Sequence, residues 1–200
     1  MTESGSTSCQ VSTCPNCNSE VPSGWPYCRL CGRILSRSVP LNSRNSRYFL
    51  QENPASFSRA HRSTFIATRE FNASYSTLCL IKCYHFGADQ SHYRAWENEC
   101  RVLFALENLA IHGIPSIYDA FDFDNDGSYD HSGFLVIKYI EGQTFTDWIE
   151  DLSGSLTPAK IDQILSTFQG ILKILSNLHN AETPVIHRDI KPDNILINGS

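Results

Sequence analysis

The chain has 200 residues, enough for one ordinary domain or for one small and one medium unit. Its composition, 41% hydrophobic, 11% aromatic and 18% charged, is that of a soluble globular protein, and no apolar run approaches the roughly 20 residues of a membrane span. The formal charge of −5 hides an asymmetry: residues 21–69 carry eight arginines against one acid, Glu52, about +7, whereas residues 70–200 carry eight bases against eighteen acids, about −10. The arginines follow no helical stripe, so a solvated linker resting against the acidic body is preferred to a surface for nucleic acid or membrane. The polar start of the chain lacks the basic-then-apolar layout of a secretory signal, and a cytoplasmic protein is expected.

The eight cysteines are not spaced as a disulfide framework. Cys14, Cys17, Cys28 and Cys31 form two Cys-x-x-Cys pairs separated by ten residues. Each pair can bend into a knuckle that points both sulfurs at one ion, and Gly32 allows the left-handed backbone such a turn needs. Four thiolates suit tetrahedral, structural Zn²⁺; the alternatives are two redox disulfides or coincidence. Trp25 and Tyr27 are placed to cover the site. A unit this small cannot bury enough apolar surface to fold alone, so the metal would supply much of its folding free energy. Cys79, Cys83 and Cys100 fall on apolar segments and read as small buried hydrophobes. The expected boundaries are a four-cysteine ribbon at 9–34, then a linker at 35–50 rich in Ser, Asn and Arg.

Beyond the linker, "RSTFIATRE" (62–70) and "STLCLIKCYHF" (76–86) read as two strands, the second a dense apolar run interrupted by Lys82. Residues 91–109 have helical spacing, with Trp96, Glu99, Val102, Leu103 and Leu106 on one side. A second strand pair spans 114–123 and 133–142 around an acidic turn. Asp122, Asp124, Asp126 and Gly127 there have calcium-loop spacing, but position twelve is Gly133 where a bidentate glutamate is required, so a plain hairpin turn is preferred. A short helix at 144–152 precedes a long amphipathic one opened by Thr157 and Pro158. "PVI" (184–186) and "ILI" (195–197) read as strands flanking a loop. Strands first and helices later, with one helix inserted, is an α+β layout.

That last loop, "HRDIKPDN" (187–194), carries chemistry. Asp189 offers a carboxylate to accept the proton of an attacking hydroxyl, Lys191 an ammonium to offset charge on a moving phosphoryl group, and Asn194 a neutral oxygen for Mg²⁺. The stretch resembles the catalytic loop of eukaryotic-type serine/threonine protein kinases. The resemblance implies that Lys82 holds the nucleotide phosphates and that Glu99 orients it, since a glutamate on the apolar side of a helix needs a partner. "FLVIKYIEG" is similar to the strand into the hinge that grips adenine: Ile137 would be the gatekeeper, Lys138 and Ile140 would supply the backbone carbonyl and N–H, and Leu196 the apolar floor. The order of cysteine prefix, linker and catalytic loop resembles that of a cyanobacterial group of such kinases with a four-cysteine prefix. It implies a partial kinase domain at 51–200, with an antiparallel N-lobe plus one helix at 51–142 and the start of a helical C-lobe at 143–200.

The chain departs from the family's pattern in three places. No glycine occurs from 33 to 86, so the glycine-rich loop over the phosphates is missing. Leu80 stands where a small alanine is usual. No Asp-Phe-Gly occurs in the 200 residues. The expectation is an ATP-dependent kinase acting on Ser or Thr of a protein, with Mg²⁺ and structural Zn²⁺, weak or inactive as these residues alone. The alternative is a non-catalytic interaction protein whose zinc ribbon binds a protein partner. Nucleic acid is not expected as a partner.

Overall fold

The computed structural model describes residues 11–52, 62–72, 75–86, 90–109, 111–123, 132–152, 154, 157–182, 184–187 and 189–198. These fall into two compact units, one built from residues up to Cys100 plus Ile117–Tyr139, the other from Arg101–Ser116 and Ile140 onward. Among the described residues no helix is long and apolar enough to cross a membrane.

The first unit opens with a short hairpin, β1 (Val11–Thr13) and β2 (Glu20–Pro22). Next come β3 (Leu41–Asn42), β4 (Arg47–Glu52), β5 (Arg62–Asn72) and β6 (Tyr75–His85). The helix α1 (Ser91–Glu107), whose residues from Arg101 on fall in the second unit, follows, and then β7 (Ile117–Phe123) and β8 (Ser132–Lys138). The last six strands form one antiparallel sheet in the order β3-β4-β5-β6-β8-β7.

Strand alternation sets the core. In β6, Cys79, Ile81 and Cys83 face inward and are fully buried, opposite Ala67, Phe65 and Ser63 of β5. Burial pushes the Cys79 thiol up to about 12 and raises Cys83 further. Both behave as small apolar residues, as the sequence suggests. The sheet curls until its edges meet: Ser43, just after β3, and Tyr48 of β4 each donate a hydroxyl hydrogen bond to Asp119 of β7 at 2.7 Å. The Tyr48 ring stacks on Phe121 at 5.5 Å, which stacks on Phe134 at 5.0 Å.

Two expectations are corrected here. Residues 35–50, read as a linker, carry β3 and most of β4 instead. Their Ser, Asn and Arg mask a sparse apolar set in which Leu41, Tyr48 and Leu50 reach the core. Tyr27, placed as a cover for the cysteine site, is itself part of the sheet's core. It is fully buried with its ring 4.9 Å from Phe65 and 6.5 Å from Phe134. Trp25 bridges the two regions, packing against both the cysteine cluster and the sheet core.

In the second unit, β9 (Gln143–Thr144) leads directly into α2 (Phe145–Leu152), and α3 (Pro158–His179) follows. Thr157 caps α3 by accepting from the Lys160 backbone N–H, and Pro158 occupies the first turn, where a missing N–H costs nothing. A single 3-10 turn (Pro192–Asn194) precedes β10 (Leu196–Ile197), which pairs with β9. Residues 184–186 form no strand. The Val185 N–H donates to Leu178 O at 3.0 Å, folding the segment back on the end of α3. Ile161, Leu165, Phe168 and Leu172 lie exposed along α3.

Candidate kinase site and metal centre

The cysteine cluster is built from two matching turns. In the first, the Cys14 N–H donates to Ser19 O (2.8 Å) and the Asn18 N–H to Cys14 O (2.9 Å). In the second, the Cys28 N–H donates to Arg33 O and the Gly32 N–H to Cys28 O, both at 2.8 Å. Asn18 and Gly32 fill equivalent left-handed positions, φ 57° and 72°, which these residue types tolerate. The four sulfurs lie within 4.8 Å of one another, with Cys14–Cys31 at 3.7 Å and Cys17–Cys28 at 3.6 Å, and all four thiols are free. A tetrahedron with Zn–S bonds of about 2.3 Å has sulfur–sulfur edges of about 3.8 Å, so the donor set fits that ion.

On the outer face of β6, alternation aligns Leu80, Lys82 and Tyr84. Lys82 Nζ lies 2.7 Å from Glu99 Oε1 on α1. Burial works against the charged form of Glu99. The ammonium of Lys82 and the guanidinium of Arg62, with the hydrogen bonds of Lys82 and Tyr84, outweigh it and hold the carboxyl below its ordinary range. The Tyr84 hydroxyl donates to Glu99 Oε2, and burial together with the Glu99 charge raises its pKa.

The second cluster lies on the loop before β10. Asn194 Nδ2 donates to the Asp189 carbonyl at 2.8 Å and to Asp189 Oδ2 at 2.9 Å; Lys191 Nζ lies 3.8 Å from the same oxygen. The loop is held to α2 by the Phe145 N–H to Ile195 O bond (2.8 Å) and by Thr146 Oγ1 donating to Asp193 Oδ1 (2.8 Å). Gly142 lets β9 approach β10: a Cβ there would stand 2.6 Å from Ile197 O. Asp189 remains exposed.

Of the remaining sequence-predicted residues, Ile137 is buried, opposite Leu80 of β6 and Ile117 of β7. Lys138 ends β8 with its side chain exposed, and Ile140 follows, half-buried, where the chain has left the sheet. Leu196 is exposed on β10, opposite Thr144. The segment 53–61, where a glycine-rich loop would lie, falls outside the described residues, as do the acidic turn 124–131 and Cys9. Sequence reasoning missed Arg62 and Tyr84 as partners of Glu99. Pairing the two strands would have found them, since the register sets Arg62 opposite Tyr84 and Thr64 opposite Lys82.

The chain is similar to the serine/threonine-protein kinase PrkC of Bacillus subtilis, 29% identical over 58% of this chain and 15% of that protein. It is similar also to two kinases of Synechocystis. Serine/threonine-protein kinase D is 30% identical over 54% of this chain, and serine/threonine-protein kinase F is 35% identical over 50%. The match spans a fifth or less of each relative's length. The family profile described as "Protein kinase domain" matches residues 68–200, from within β5 through the Asp189 loop. With a match over about two thirds of its length, the chain belongs to the protein kinase domain family.

Proposed function

We propose that the chain carries the phosphate-holding and proton-accepting groups of a serine/threonine protein kinase. The observation that carries this is the 2.7 Å pair of Lys82 and Glu99, on the strand and helix where a kinase needs it. The family uses ATP with Mg²⁺, which together supply the transferable phosphoryl group and neutralise its charge. Lys82 holds phosphate oxygens while Glu99 keeps its ammonium in place. Asp189 accepts the proton of the attacking Ser or Thr hydroxyl as that oxygen bonds to the γ-phosphorus and the bond to the ADP oxygen breaks. Lys191 offsets charge on the phosphoryl group. The Asn194 amide N–H₂ is engaged by Asp189, which leaves its carbonyl oxygen for Mg²⁺. Lys138 and Ile140 offer backbone groups to adenine, Ile137 stands as gatekeeper, and Leu196 lies beneath the base. The names of the relatives and the lysine at 191 support hydroxyl acceptors of the Ser/Thr kind. Cys14, Cys17, Cys28 and Cys31 hold one structural Zn²⁺ and leave no open position for catalysis.

In the longest natural chain that carries these residues, Asp189→Ala is expected to cut phosphotransfer from ATP by about 10²–10⁴-fold with MgATP affinity retained. Unchanged turnover would remove Asp189 from its role. The glycine-free stretch 33–86 favours a second reading, a non-catalytic interaction module whose ribbon binds a protein. That reading requires that MgATP does not bind, which calorimetry decides.

A further inference from the structure

The Lys82–Glu99 pair is one side of a larger cluster. On the outer face of β5 and β6, the Arg62 guanidinium lies over the Tyr84 ring at 4.8 Å and reaches Glu99 at 3.4 Å (Oε1) and 3.3 Å (Oε2). Lys82 takes Oε1 at 2.7 Å and the Tyr84 hydroxyl takes Oε2. One carboxylate thus faces two cations and a phenol. With Glu99 ionised the cluster carries one positive charge in excess, and among the described residues no second carboxylate forms an ion pair with either cation.

The two cations are held differently. Lys82 sits at full hydrogen-bond distance, with its side chain 24% exposed. Arg62 sits about half an ångström further out and is 39% exposed. If Arg62 turned away, Glu99 would keep Lys82 and Tyr84 and remain satisfied. Arg62 also opens β5, directly after a segment whose nine residues include no glycine. Backbone amides approach phosphates closely only where side chains are absent, so a glycine-free segment calls for another source of positive charge. A guanidinium supplies it, since its planar fork accommodates two phosphate oxygens at once.

We propose that Arg62 is a second phosphate-binding cation, which leaves Glu99 for the β- or γ-phosphate of the nucleotide and stands in for the amides of a glycine-rich loop. Tyr84 acts as a positioning residue that keeps Glu99 on Lys82 when Arg62 departs. This rests on the kinase reading above.

The test is calorimetric titration of the wild type, Arg62→Gln and Arg62→Lys with MgATP and with AMP, alongside thermal unfolding of each. AMP lacks the β- and γ-phosphates, so it reports the base and sugar contacts alone. Arg62→Gln is expected to weaken MgATP by about tenfold to a hundredfold, as loss of a charge-assisted hydrogen bond does. AMP affinity and the unfolding midpoint should stay unchanged, and Arg62→Lys should recover part of the loss. Equal weakening of MgATP and AMP, or no weakening of either, overturns the proposal while leaving the kinase reading intact. A wild type that binds neither nucleotide overturns both.

Discussion

The ring of Tyr27, the residue directly before Cys28, lies 4.9 Å from that of Phe65 inside the curled sheet, with no surface exposed. Trp25, two residues before Tyr27, packs against both the cysteine cluster and the sheet core, so this segment joins the two regions. Removing the Zn²⁺ proposed for the four cysteines with a chelator is expected to lower the unfolding temperature of the sheet itself rather than release a separate ribbon. Tyr27→Ala should cost about 3–5 kcal/mol, as truncating a buried aromatic does. After chelation that cost should shrink, because the residue is no longer delivered to the sheet. Denaturant unfolding of the four combinations measures the coupling, and additive effects would show that the two regions are independent.

Asp119 closes the curl by accepting from Ser43 and Tyr48 across the sheet's two edges. Asp119→Ala leaves the hydroxyl of a fully buried tyrosine without its acceptor. A loss of about 1–3 kcal/mol is expected in urea unfolding, and Tyr48→Phe in the same background should restore part of it by removing the orphaned group.

Gly142 is required by space rather than by backbone angle. Gly142→Ala would place a methyl group 2.6 Å from Ile197 O, so β9 and β10 must part. The expected readout is faster hydrogen exchange at the Phe145 N–H, which is bonded to Ile195 O. Protection at Tyr84 and its neighbours in β6 should be unaffected. Unchanged exchange at Phe145 would show that the loop is anchored otherwise.

The Glu99 carboxyl titrates below its ordinary value of 4.5 because two cations and two hydrogen bonds outweigh burial. Between the depressed and the ordinary value the unfolded chain binds more protons than the folded one, so stability rises with pH there. The contribution is complete above the ordinary value and is lost as pH falls through the depressed one. Urea midpoints measured from about pH 3 to 6 should show a shallower acid decline in Glu99→Gln than in the wild type. Parallel curves would place the acid sensitivity elsewhere.

Most elements of the fold were legible in the sequence. Two strand-like stretches, the second a dense apolar run interrupted by Lys82, marked β5 and β6, helical spacing marked α1 and α3, and Thr157-Pro158 marked the start of α3. The two cysteine turns were legible because the Cys-x-x-Cys pair that builds each of them is a short local repeat. Expectation failed where the signal was short or was set by distant partners. β3 and β4 place few apolar residues among many polar ones, and β4 is secured by pairing with β5 rather than by its own composition. "PVI" has the composition of a strand but pairs with no strand among the described residues; the Val185 N–H donates instead to Leu178 O at the end of α3.

The sequence by itself determined which groups are present for chemistry. Four thiols stand in two turns, a carboxylate, an ammonium and an amide lie within six residues, and one lysine interrupts an apolar strand. These are local facts, because a turn or a strand aligns residues only a few positions apart. Tertiary structure decided what each group faces. It made Tyr27 a core residue, brought Tyr48 to Asp119 across 71 positions of chain, and gave Glu99 a second cation in Arg62. Such pairings depend on strand register and sheet curl, which arise from the packing of the whole core and leave no trace in any short stretch of sequence.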